Sequence, residues 1–91
     1  MYNIQLDNSN IFKKDWKKLN QDMIYKKKIK SMLQMFAVHP FSERWNIKKM
    51  FPKSSNKSRL RIGEYRIIYS IDDGNKIILI HRIALRKEVY K

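Results

Sequence analysis

Ser58-Arg59-Leu60-Arg61-Ile62-Gly63-Glu64-Tyr65-Arg66-Ile67-Ile68-Tyr69 sets basic against apolar side chains on either side of a glycine. Alternation with period two marks a half-buried strand, and glycine suits the positive φ at the first position of a type II′ turn. The stretch therefore predicts a hairpin in which Ile62 opposes Tyr65 and Arg61 opposes Arg66. Leu60, Ile62, Tyr65, Ile67 and Tyr69 then share one face, while Arg59, Arg61 and Arg66 share the other. Like charges directly opposed across a ladder are destabilising, so the Arg61–Arg66 pair calls for a carboxylate neighbour or a visiting anion.

Downstream, Tyr65–Asp72 and Lys76–Ile83 read as strands joined at Asp73-Gly74, a favoured two-residue type I′ signal. Counting across that turn pairs Asp72 with Asn75 and Arg66 with His81. Ile71, Ile78 and Ile80 extend the apolar face. Lys57, Ser70 and His81 extend the basic one, with Ile68, Ile77 and Leu79 beside them. Upstream, Ile47–Phe51 reads as a strand closed by Pro52, followed by a polar loop at 53–57.

The front of the chain has a different period. Tyr2, Ile4 and Leu6 alternate as a short strand, and Asn8 or Ser9 is placed to cap a helix with Phe12, Trp16 and Leu19 on one face. Asp22 opens a second helix striped by Tyr25, Ile29, Met32, Leu33 and Phe36, and His39-Pro40 ends it. The expected architecture is α+β: two helices packed on one face of a mainly antiparallel sheet of four or five strands. The order is β-α-α-β-β-β-β, in a single domain over residues 1–91.

Twenty-one Lys and Arg against eight Asp and Glu leave a net charge of +13, which fits an anionic partner. The two cations are segregated: twelve of fifteen lysines lie in residues 1–57, and five of six arginines lie after residue 58. Lysine suits a solvated helix surface, whereas arginine presents a planar fork that grips phosphate bidentately. The absence of cysteine removes a thiol nucleophile, a disulfide framework and cysteine-based metal sites. His39, His81 and the Asp72-Asp73 turn make no convincing ligand set, so neither a metal nor a cofactor is expected. Two glycines exclude a glycine-rich nucleotide loop. No apolar run exceeds Ile77–Ile80 and no signal-peptide pattern opens the chain, so no membrane association and a cytoplasmic location are expected.

The segment Ser58–Tyr69, a following hairpin and Leu85-Arg86-Lys87-Glu88-Val89-Tyr90 together resemble the RelE-type toxins of toxin–antitoxin modules. That family typically reads R-x-R-x-G-x-Y-R-x-x-Y, then closes with R-x-x-x-Y. The Tyr2–Leu6 strand, the helix pair with Trp16, Pro40 and the Ile47–Met50 strand match its front half. The resemblance implies a RelE-like fold and a metal-independent endoribonuclease that cuts mRNA codons in the ribosomal A site, halting translation. In that chemistry the ribose 2′-hydroxyl attacks the adjacent phosphate, giving a 2′,3′-cyclic phosphate and a 5′-hydroxyl. It also implies an acidic, RelB-like antitoxin that folds on binding. A ParE-type toxin acting on DNA gyrase shares the fold, and a non-catalytic basic nucleic-acid-binding module is a further alternative.

By the same resemblance Arg66 stabilises phosphate charge, Arg86 and Tyr90 match the closing arginine and tyrosine, and Lys57 and Arg59 fall where members carry paired basic residues. Arg59, Arg61, Arg66, Arg86 and Tyr90 are thus the candidate catalytic set. Lys57, Arg59, Arg61, Arg82 and Lys87 are candidate RNA contacts. Arginine stays protonated, so proton transfer falls to His81 or Lys57 as candidates, and Tyr90 is suited to stacking on a base. The chain departs from the family at Leu85, where many members have histidine.

Overall fold

The computed structural model describes residues 1–50 and 55–89. Its elements are β1 (Asn3–Leu6), α1 (Asn10–Asn20), α2 (Met23–Val38), β2 (Ile47–Lys49), β3 (Lys57–Ile62), β4 (Tyr65–Asp72), β5 (Ile77–Leu85) and a single-turn α3 (Arg86–Val89). The expected helices form for the expected reasons. Ser9 Oγ accepts the Phe12 N–H at 3.2 Å and Asp22 Oδ1 accepts that of Tyr25 at 3.2 Å. Such caps contribute about 1 kcal/mol each. α2 stops at Val38, with His39 as its C-cap before Pro40. The predicted strand at Ile47–Phe51 is shorter, ending at Lys49, and Phe51 falls outside the described residues.

The sheet runs β1-β5-β4-β3-β2. Its pairings are antiparallel except the edge pair β1–β5, which is parallel, from Asn3↔Ile77 to Leu6↔Ile80. The core lies between this sheet and the helix pair. Leu60, Ile62, Tyr65, Ile67, Tyr69, Ile78, Ile80 and Ile83 meet Phe12, Leu19, Ile29, Leu33 and Phe36 there, with Trp45 closing one side. The β3–β4 hairpin has the predicted register, Ile62↔Tyr65 and Arg61↔Arg66, and Gly63 takes the positive φ of 57° its turn demands.

The β4–β5 register differs from that counted across Asp73-Gly74. Asp72 pairs with Ile77, not Asn75, because the Asp72 carboxylate accepts the Asn75 main-chain N–H (3.1 Å) and its side-chain amide (2.8 Å), closing a longer loop. The positive φ of that loop falls on Lys76 rather than Gly74. A β-bulge then leaves His81 unpaired, since Ile68 faces Arg82 and Tyr69 faces Ile80. Together these shifts put Ala84 opposite Arg66, three positions beyond His81. The bulge has a clear physical cause. Uninterrupted alternation from Ile78 and Ile80 would drive Arg82 into the core, and one extra residue delivers Ile83 there instead.

β1 ends at Leu6, so β5 continues past it with an open edge. There the buried Asp15 of α1 stands in for a strand. It accepts the Ile83 N–H at 3.3 Å and both Nε (3.0 Å) and Nη2 (2.9 Å) of Arg82. On the opposite face of the sheet, α3 lays Val89 over Ile68 and Ala84, with Met50 alongside. No helix among the described residues is long and apolar enough to cross a membrane.

Candidate functional site

Side chains on the helix-free face follow from the register. Lys57, Arg59 and Arg61 stand two residues apart on β3, opposite Ser70, Ile68 and Arg66. Their spacing is about 6.7 Å per step, twice the strand rise. Lys48 of β2 faces Arg59. At the turn end of this ladder Asn46, Lys48, Arg59, Arg61, Arg66 and Arg86 line a cleft of about 240 Å³, and none of these described residues is a carboxylate.

Arg66 is the anchor of this cleft and is only 6% exposed. Its Nη1 donates to the Gly63 and Tyr65 carbonyl oxygens at 2.9 and 3.0 Å, so the turn itself fixes the guanidinium. Burial first, and then the guanidinium groups of Arg61, Arg86 and Arg59, hold Arg66 below arginine's ordinary range, with Glu64 pulling the other way. Arginine keeps its proton under such pressure, so the cleft concentrates positive charge around Arg66. Arg86 reaches the cleft because its N–H bonds the Glu64 carbonyl at 2.9 Å, tying the start of α3 to the β3–β4 turn.

The structure thus brings Arg59, Arg61, Arg66 and Arg86 together. Arg82 is not among them, being engaged bidentately by Asp15, and Lys87 lies outside the cleft beside Glu64 and Leu85. Tyr90 lies outside the described residues. His81 sits further along the sheet, where Nε2 is 2.9 Å from Ser70 Oγ and Nδ1 is 3.7 Å from Asp7 Oδ2. Burial and the nearby Lys57 ammonium lower its pKa, while Asp7 raises it, with a net downward shift. His81 is therefore an uncharged imidazole at neutral pH, about 10 Å along β5 from the position facing Arg66.

Sequence reasoning did not single out Asn46 and Lys48 as part of this site. Lys48 was discoverable only from the β2–β3 register, and Asn46 carries no composition or periodicity signal at all.

Comparison with known proteins assigns this small α+β domain to a class of toxins. Residues 8–90 match the family described as the ParE toxin of the type II toxin–antitoxin system parDE. A Methanocaldococcus jannaschii protein named for the toxin RelE1 is 32% identical over 66 residues, covering 71% of this chain and 72% of that protein. A metal-bound toxin from Helicobacter pylori superimposes with a TM-score of 0.76 at 16% identity, covering 98% of this chain and 99% of the other. RelE in the RelE–RelB complex of Pyrococcus horikoshii gives 0.72 at 20% identity, over 96% and 97%. The chain belongs to the RelE/ParE family: it is the toxin of a type II toxin–antitoxin system.

Proposed function

We propose that this toxin is a ribosome-dependent endoribonuclease that cleaves mRNA in the A site. The observation that carries the proposal is the cleft of Arg59, Arg61, Arg66 and Arg86, with no carboxylate among its described lining residues. In the reaction the 2′-oxygen bonds to phosphorus and the bond from phosphorus to the 5′-oxygen breaks. A proton leaves the 2′-hydroxyl and one is delivered to the departing 5′-oxygen. Arg66 and Arg61 oppose the charge that develops on the phosphoryl oxygens, with Arg86 and Arg59 flanking them. Lys57 and His81, which meet at Ser70 about 13 Å along the sheet from the Arg61–Arg66 pair, stand too far from that phosphate to carry its protons, which solvent exchanges instead, and Tyr90 is assigned to stacking on a base. Lys57 continues the phosphate contacts along β3.

An acidic RelB-like antitoxin that folds on binding is the proposed inhibitor, covering the cleft and offsetting the +13 charge. The Pyrococcus horikoshii RelE, solved with RelB, supports that pairing. A second reading, a gyrase-directed toxin, is favoured by the match to the ParE description.

The test is a purified translation system with primer extension on the mRNA. New 5′ ends at A-site codons are expected with the wild type. Arg66→Ala and Arg86→Ala should each reduce them about 100-fold, the usual scale for removing one preorganised charge donor. Intact mRNA under ribosome saturation, with supercoiling by gyrase inhibited instead, would establish the second reading.

A further inference from the structure

We propose that Asn46 is a base-reading residue that recognises adenine next to the phosphate held by Arg61 and Arg66; this rests on the RNA-cleaving role proposed for the cleft. The residue stands just before β2, where its carbonyl oxygen accepts the Arg61 N–H at 3.0 Å. That bond extends the Ile47↔Leu60 register by one, so Asn46, Arg61, Arg66 and Ala84 form one row across four strands. Neighbouring strands lie about 4.8 Å apart, which puts Asn46 one strand beyond the opposed arginines.

Asn46 differs in chemistry from everything else lining the cleft. Its five companions are cations, suited to phosphate, whereas a carboxamide compensates no charge. What it offers is a donor and an acceptor side by side, the pattern that pairs bidentately with adenine N6 and N7. The residue is exposed, and its carboxamide bonds to none of the described residues, so both groups are available to a ligand. A phosphate seated on Arg61 and Arg66 leaves its attached nucleoside to fall over a neighbouring strand, and on the β2 side Asn46 is what it meets. Single-stranded RNA, with its bases splayed from the backbone, is the substrate form that exposes such an edge.

Fluorescence anisotropy with labelled 2′-O-methyl hexamers of adenosine, cytidine or uridine tests this without cleavage. The wild type should bind the adenosine hexamer at least about fivefold more tightly than the other two, the lower end for one bidentate base contact. Asn46→Ala should bring the three within about twofold while leaving the salt slope unchanged, because no charge is lost. Arg61→Ala should weaken all three alike and flatten that slope by about 0.7 for each phosphate contact removed. Asn46→Ala keeps the main-chain bond to Arg61, and its melting temperature serves as the folding control. Equal binding of the three hexamers by the wild type, or an adenosine preference that survives Asn46→Ala, would overturn the assignment. Uniform weakening by Asn46→Ala would do so too. Failure of the wild type to bind any hexamer at low salt would instead remove the RNA-binding premise, and the assignment with it.

Discussion

Gly63 and Arg66 depend on each other. The glycine's left-handed backbone aims its carbonyl at Arg66 Nη1, and the same backbone places it against Tyr25 of α2. A Cβ at this position would lie 2.7 Å from the Tyr25 hydroxyl. Gly63→Ala should therefore cost about 2 kcal/mol, the left-handed penalty of an L-residue with the displacement of Tyr25 added. Urea denaturation measures it, and a midpoint unchanged from wild type would refute the dependence. At this scale the sequence was informative. The glycine, the arginine opposite Arg61 and the two helix caps could all be read, because each depends on residues within a few positions. Arg82 was not legible in the same way, since its partner Asp15 is distant in the chain and looks like one more acid on a lysine-rich helix.

Among the elements, β5 carries the largest share of what local pattern could not reveal. It pairs with β1 in parallel, with β4 through a bulge, and beyond β1 with a helix side chain in place of a strand. The Asp-Gly signal pointed to a two-residue turn, but the Asp72 carboxylate's own bonds to Asn75 prevail over it. The bulge answers a requirement of the core at Ile83, which becomes visible only once both faces of the sheet are known. Removing the stand-in should be costly. Asp15→Ala would leave the Arg82 charge and the Ile83 N–H without their acceptor, a loss of about 3 kcal/mol. Lys18→Ala, which deletes the exposed ion pair with Glu88, should cost under about 1 kcal/mol. Chemical denaturation of the two variants in parallel checks the contrast, and equal losses would contradict it.

Over the whole molecule the +13 charge works in two opposite directions. Self-repulsion strains the free fold, while the same field draws in a polyanion. Raising the salt from about 20 mM to about 300 mM should increase the melting temperature of the free protein by screening that repulsion. RNA affinity should fall over the same range, with a log–log slope near −0.7 for each phosphate neutralised. Differential scanning fluorimetry and a binding titration in the same buffers read both effects, and a melting temperature that fell with salt would show that favourable ion pairs dominate instead. The two-layer plan and the charge segregation were both readable in advance, whereas the position of β1 was not, since it joins Asn3 to Ile77 across nearly the whole chain. That closure also sets an order of events during synthesis. Translation delivers Asn3–Leu6 first and the strand it pairs with long afterwards, and Arg86, which completes the cleft, follows that strand. The ribosome that makes this toxin must therefore read through the Arg86 codon before the product can assemble its cleft, so folding itself acts as a delay between the start of synthesis and a finished site.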